Sequence, residues 1–310
     1  MPLRVVFFGT PEIAVPTLAR LVEIADVKAV VAQPDRPKGR GQKLAAPPTK
    51  VLASLTGIPV LQPLKMKDPE LWARLAAFDA DLFVVVAYGR ILPPQILSIP
   101  GLGCVNVHAS LLPRYRGAAP IQWAILRGEK ETGVTLMLMD EGLDTGPMLA
   151  RRSTPIGPDE TSGELGVRLG LLGAQLVADS LPDIEHGRAR PEPQDSSLAT
   201  MAPLLEKAQG RIRFEDTAQR IHDHVRALNP WPGAFTTLDD RTLKVHRTRP
   251  APGTPADLPG RVVAAGGDGI WVACTDGAIV LREVQLEGKK RMSAAEFASG
   301  ARLKQGRALY

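Results

Sequence analysis

The chain has 310 residues, 44% of them hydrophobic and 23% charged, a globular composition spread over more length than one hydrophobic core usually serves, so two folded domains are expected. Cys104 and Cys274 have neither pairing nor metal-ligand spacing, which argues against a disulfide framework or a zinc site, and the apolar run at residues 5–8 is strand-length, so neither an export signal nor a membrane span is expected. The net charge of +5 is C-terminal: residues 206–310 hold 17 Lys and Arg against 12 Asp and Glu, leaving 21 against 21 in residues 1–205, which implies a basic module on a neutral body and a polyanionic partner.

Up to about residue 180, short Val/Ile/Leu-rich runs alternate with segments of helical period, the pattern of parallel strands joined by helical crossovers. It predicts an α/β domain with an open, mostly parallel sheet of Rossmann-like type, with strands at 4–8, 27–32, 82–87, 103–107 and 134–139 and an amphipathic helix at 164–180. After the first strand, Gly9 allows a tight turn, Thr10 suits an N-cap and Pro11 suits the first helical position. A dinucleotide site would need two further glycines where Pro11 and Ala14 stand, so a nicotinamide dehydrogenase is excluded and Asp35 does not read as a ribose-binding acid. Residues 33–50 then form a long loop carrying Arg36, Lys38, Arg40, Lys43 and Lys50 against a single acid, Asp35. Such a loop resists burial, and beside an active site it can bind phosphates.

In Gly103-Cys104-Val105-Asn106-Val107-His108, strand alternation puts Cys104, Asn106 and His108 on one face and the valines on the other. Polar groups at the carboxyl end of a parallel strand lie where open α/β sheets bind ligands. Cys104 is read as packing, because nothing nearby favours a thiolate. A turn-rich stretch follows, Ser110-Leu111-Leu112-Pro113-Arg114-Tyr115-Arg116-Gly117-Ala118-Ala119-Pro120.

The string from Asn106 to Pro120 resembles the signature of the folate-dependent formyltransferases, and its extended form is most similar to the branch acting on methionyl-tRNA. The resemblance implies a catalytic trio of Asn106, His108 and Asp144, the last in the loop 139–147, and a tetrahydrofolate site lined by Ser110, Leu111, Leu112 and Pro113. Chemistry asks for the same types of group: formyl transfer from 10-formyltetrahydrofolate to an amine builds an oxyanion for Asn106 or His108 to meet and moves protons that His108, oriented by Asp144, can carry. No metal is implied. The string Pro34-Asp35-Arg36-Pro37, with Gly39-Arg40-Gly41, resembles the insertion that engages the tRNA acceptor stem in that branch, with Arg40 foremost and Arg36, Lys38 and Lys43 beside it.

Residues 188–203, rich in Pro, Ser and Asp, read as an exposed connector. The division expected is a catalytic domain at 1–187, a linker at 188–205 and a C-terminal domain at 206–310. A helix at 217–227 and strands at 234–238, 242–246, 261–264, 270–274 and 278–285 predict a small OB-like β-barrel, with a turn at Asp239-Asp240-Arg241. Asn229-Pro230-Trp231-Pro232-Gly233 and the basic point Lys289-Lys290-Arg291 resemble the same family's tRNA-binding domain; Trp231, between prolines, reads as a core anchor. Together these imply a monomeric cytoplasmic enzyme that formylates initiator methionyl-tRNA, with an amino-sugar-nucleotide N-formyltransferase as the alternative.

Overall fold

The computed structural model describes residues 2–38, 43–255 and 257–310. Contacts divide them into two compact units: one holds residues up to Pro120 with Glu131–Thr154 and Gly166–Pro203, the other Ile121–Lys130, Pro155–Leu165 and Leu204–Tyr310.

In the first unit, β1 (Arg4–Gly9), β2 (Asp26–Val31), β5 (Val60–Leu61), β6 (Leu82–Val86), β7 (Cys104–His108), β8 (Glu131–Leu138) and β9 (Met148–Pro155) form a sheet in the order β5-β2-β1-β6-β7-β8-β9. Pairing is parallel from β5 through β7 and turns antiparallel at β7–β8. The order reverses between β1 and β6, the switch point where such sheets leave a crevice beyond their strand ends. Runs such as Val5 to Phe8 and Leu82 to Phe83, with no exposed surface, follow from helices covering both faces. On one face Val6, Phe8, Phe83 and Val85 join Leu71, Leu75 and Ile96 from α3 (Pro69–Ala76) and α4 (Pro94–Leu97). On the other, α6 (Ser162–Glu185) comes so close that a Cβ at Gly173 would stand 2.8 Å from Val107 Cγ1, and one at Gly170 2.9 Å from the Ile13 carbonyl.

The predicted strands all form, with ends shifted by a few residues. Thr10, however, caps nothing: Pro11 precedes a 3-10 turn at Glu12–Ala14 and α1 begins only at Val15 (Val15–Ile24). The Thr10 hydroxyl instead accepts from Gln33 N at 3.2 Å and donates to the Tyr88 carbonyl at 3.4 Å, tying the ends of three strands together. Within the long basic loop, β3 (Arg36–Lys38) and β4 (Lys43–Ala45) pair with each other in a sheet of their own, before α2 (Pro48–Leu55). Residues 188–203 count with the first unit: Met148 and Glu192 exchange backbone bonds at 2.8 Å, and Ala202 N donates to the Arg116 carbonyl at 2.7 Å.

The second unit contains α5 (Pro120–Leu126), all but its first residue, and is built on an antiparallel sheet ordered β10 (Ala234–Leu238), β11 (Arg241–Pro252), β14 (Gly277–Leu286), β13 (Gly269–Cys274) and β12 (Val262–Gly266), with β15 (Met292–Ser293) on β14. Asp239 and Asp240 both adopt positive φ, as a two-residue hairpin between twisted strands requires. The strand β11 runs past its predicted end because only its first half is flanked by β10, so Pro250 lies where no ladder donor is needed on that side. Residues 307–310 bond to both outer strands, with Val262 N donating to the Arg307 carbonyl at 2.8 Å and Tyr310 N to the Thr237 carbonyl at 3.1 Å, beside a core of Leu243, Val272, Ile279 and Leu281. The helices α7 (Ala218–Ala227) and α8 (Ala294–Gly300) contribute Ile221, Val225 and Phe297 to that core. Segment 155–165 belongs here because α7 holds its carbonyls: Arg226 donates to those of Gly157 and Glu160 at 3.1 Å each, while the buried Asp223 carboxylate takes its Nε at 2.7 Å.

Candidate active site

Three side chains meet at β7. Asn106 and His108 are two residues apart on one strand face, and Asp144 reaches them from the loop between β8 and β9. Asn106 Nδ2 donates to Asp144 Oδ1 at 3.4 Å, and His108 Nδ1 faces Asp144 Oδ2 at 3.6 Å. The imidazole is buried, and its Nε2 lies 2.8 Å from the Tyr115 carbonyl. A carbonyl only accepts, so Nε2 carries a proton and the nitrogen left for exchange is Nδ1, on the carboxylate side. The Asp144 Oδ2 atom also accepts from Gly117 N at 2.8 Å. Asp144 itself holds φ of 54°, in the left-handed region, and a Cβ at Gly146 would fall 1.8 Å from the Leu138 carbonyl, so this turn is built around a glycine.

The stretch after β7 is bound inward. The hydroxyl of Thr135, a buried residue of β8, donates to the Ser110 carbonyl at 2.7 Å and accepts from Leu112 N at 3.1 Å, while Ser110 Oγ donates to the Arg114 carbonyl at 2.6 Å. Leu112 packs with Met137 and Met148. The Ser110, Leu112 and Pro113 side chains are thus buried in the protein, and what the loop offers outward is the half-buried Leu111, the exposed Arg114 and the backbone groups not already bonded. Past the end of β6, residues 91–94 with Lys65, Met66, Lys67 and Glu141 line a largely apolar cavity of about 560 Å³.

A family model for formyl transferase matches residues 3–181, and a second, for the formyl transferase C-terminal domain, matches residues 204–302. The chain belongs to the formyl transferase family. It is 53% identical to a methionyl-tRNA formyltransferase of Citrifermentans bemidjiense over 98% of this chain and 95% of that one, and 53% identical to one of Sorangium cellulosum over 99% of each. Among solved structures, an N-formyltransferase from Helicobacter canadensis, crystallised with folinic acid and dTDP-3-aminofucose, has a TM-score of 0.67 at 20% identity, covering 90% of this chain and 98% of that one. HypX from Aquifex aeolicus, crystallised with tetrahydrofolic acid, has a TM-score of 0.66 at 19% identity, covering 96% of this chain and 47% of that one. At those identities the two structures support the fold.

In this formyl transferase Cys104 lies in the core, where its Sγ donates to the Leu97 carbonyl at 3.7 Å and burial pushes its thiol up to about 12, so nothing favours a thiolate. The basic loop is tied at its stem. Lys50 Nζ reaches both Asp35 oxygens at 2.9 Å and Gln62 Oε1 at 2.8 Å; Gln62 Nε2 donates back to Asp35 at 2.7 Å and to the Gln33 carbonyl at 2.9 Å. Gln62 first, then Lys50, holds the Asp35 carboxyl below its ordinary value. Arg36 is exposed in β3; Lys38 and Lys43 are register partners in the backbone ladder of β3 and β4; Arg40 lies outside the described residues.

In the second unit Lys289 and Lys290 are exposed, whereas Arg291 is paired with Glu283 through Nε and a terminal nitrogen at 2.5 Å each, which neutralises part of the predicted basic point. Trp231 is 48% exposed, so it does not anchor the core as expected. With a proline on each side it has no regular strand or helix to carry it inward, and Ala234, three residues on, takes the buried place. Sequence reading overlooked three participants: the Tyr115 carbonyl, the Gly117 amide and Gln194. The first two were open to it, because the turn following a strand that ends in His108 has to fold back over the imidazole; Gln194 sits in a segment whose composition gives no such sign. Among the described residues no helix is long and apolar enough to cross a membrane.

Proposed function

We propose that this chain transfers the formyl group of 10-formyltetrahydrofolate to the amino group of initiator methionyl-tRNA, giving N-formylmethionyl-tRNA. The observation that carries the reading is the convergence of Asn106, His108 and Asp144 on one strand face, in a chain more than half identical, nearly end to end, to methionyl-tRNA formyltransferases. As the amine attacks the formyl carbon, a C–N bond forms and the carbonyl oxygen gains charge, which Asn106 Nδ2 is placed to meet. His108 Nδ1 takes the proton the amine must lose, and Asp144 stabilises the imidazolium so formed. Collapse of the tetrahedral species breaks the bond to N10 of the folate, and the proton is delivered there.

In this reading the loop Ser110, Leu111, Leu112 and Pro113 holds the donor through backbone groups, and the apolar cavity by residues 91–94 suits its flat ring system. The first unit is the catalytic body and residues 206–310 the tRNA platform. The basic loop (Arg36, Lys38, Arg40, Lys43) and the group Lys289, Lys290, Arg291 meet phosphates. The enzyme works as a monomer in the cytoplasm, where aminoacyl-tRNA is found. An amino-sugar-nucleotide acceptor is supported only by likeness of fold. Radiolabelled formyl transfer from 10-formyltetrahydrofolate, offered methionyl-tRNA, free methionine and amino-sugar nucleotides in parallel, tests the assignment: label on methionyl-tRNA alone is expected, and label on a sugar nucleotide instead would overturn it.

A further inference from the structure

The Asp144 turn is held by a residue from the segment whose composition reads as a connector. Gln194 Nε2 donates to the Asp144 carbonyl at 2.9 Å and to the Gly146 carbonyl at 2.7 Å, so both its hydrogens are used on the two ends of the turn. Its Oε1 accepts from Arg116 Nε at 3.0 Å and from a terminal nitrogen of the same guanidinium at 2.7 Å. A guanidinium only donates, so this fork fixes which way the amide faces and aims the NH₂ at the carbonyls. Arg116 is itself buried, and its backbone is clamped on both sides, N to the Thr200 carbonyl at 2.8 Å and its carbonyl to Ala202 N at 2.7 Å. Next to it, a Cβ at Gly117 would stand 2.8 Å from the Ala202 carbonyl, so the residue whose amide holds the Asp144 carboxylate is locked to the same segment. Asp144 holds its positive φ, a conformation aspartate adopts more readily than most residues, in a turn whose Asp144 and Gly146 carbonyls Gln194 ties together.

We propose that Gln194, oriented by Arg116, is a positioning residue for formyl transfer: it fixes the 144–146 turn and through it the reach of the Asp144 carboxylate to His108 and Asn106. The proposal rests on the reading of Asp144 as catalytic. The Gln194 amide has its oxygen and both its hydrogens engaged by protein groups, so its loss acts on the chemical step and not on binding.

Steady-state formyl transfer to methionyl-tRNA by the full-length protein tests this. Gln194→Ala is expected to lower kcat about 10-fold, as loosened placement of a catalytic group does, with KM for both substrates and tetrahydrofolate binding near wild type, and to lower the melting temperature because the buried Arg116 loses its acceptor. Gln194→Glu keeps the acceptor for Arg116 but cannot donate to two carbonyls, so it should lose as much as Gln194→Ala; its near-identical shape keeps the test open if the alanine variant folds poorly. Arg116→Lys, which cannot make the fork, should fall between. In an Asp144→Ala background, Gln194→Ala should cost nothing further. Wild-type turnover by Gln194→Ala or Gln194→Glu beside an inactive Asp144→Ala overturns the proposal alone, as does a further tenfold loss in the double variant. Wild-type turnover by Asp144→Ala removes the reading of the site and the proposal with it.

Discussion

Two loops that leave the sheet at strand ends, the turn after β7 and the basic insertion after β2, are alike in composition and opposite in construction. Both are rich in Arg, Gly and Pro. The first is bonded along its length: Ser110 and Leu112 to Thr135, Tyr115 to His108 and Thr200, Arg116 to Gln194, Gly117 to Asp144. Among the described residues, the second is bonded at its stem, by Asp35, Lys50 and Gln62, and its strands β3 and β4 pair with each other. Stabilising a charge that exists only in a transition state requires donors already in place, whereas meeting phosphates requires mainly charge and reach. Under the proposed function the same residue types serve both ends, and among the described residues the bonds to neighbours tell the two loops apart.

The largest effects should come from breaking the bonded side. Asn106→Ala is expected to lower kcat about 10²–10³-fold with donor affinity largely retained, the usual cost of one oxyanion donor, and Asp144→Ala and His108→Ala to be at least as damaging. Wild-type turnover by any of the three in a steady-state assay would remove that residue from the trio. On the other side of the comparison, Arg40→Ala should raise KM for methionyl-tRNA about 10-fold, leave tetrahydrofolate binding intact, and flatten the salt dependence of tRNA affinity by about one unit of slope. A matching defect in donor affinity would show that the insertion is not an acceptor device. Lys50→Met, which releases the stem but keeps the tip charges, should raise the same KM by a smaller factor.

Outside these two loops the expected effects are on stability. His224 Nε2 is shielded from solvent without a hydrogen-bond partner among the described residues, and burial lowers its pKa. A histidine whose folded pKa lies below the unfolded value, about 6.5, contributes stability above that pH and loses it as the pH falls toward the folded value. Melting curves at pH 7.5 and 5.5 should therefore show a drop in wild type that His224→Phe reduces; equal drops would contradict the sign. Smallest of all is Cys104→Ala, expected to turn over as wild type at a cost of about 1 kcal/mol in stability. An inactive but folded variant would bring a thiol mechanism back.

Much of this was legible. Asn106 and His108 could be placed on one face because strand alternation is strict, and the barrel strands because hairpins such as Asp239-Asp240 carry their own turn chemistry. What escaped depends on distant partners. Thr10 looks like a cap until the Gln33 amide and the Tyr88 carbonyl arrive from two other strands. Residues 188–203 look like a linker because few of their side chains are apolar, yet their backbone and Gln194 are bonded into the first unit, so a cut there would take away the hold on Asp144. Composition registers buried surface; it does not register a backbone held by hydrogen bonds.

The close approach of α6 to β7 bears on anyone seeking to make this enzyme more heat-resistant. Gly173 sits inside a helix, where a standard stabilising exchange, glycine for alanine, promises about 1 kcal/mol from helix propensity. Here the added methyl would press on Val107 from 2.8 Å, and Val107 is the residue between Asn106 and His108. The exchange would thus push from behind on the strand that carries Asn106 and His108, and under the proposed function a change chosen for robustness would be felt as a loss of rate.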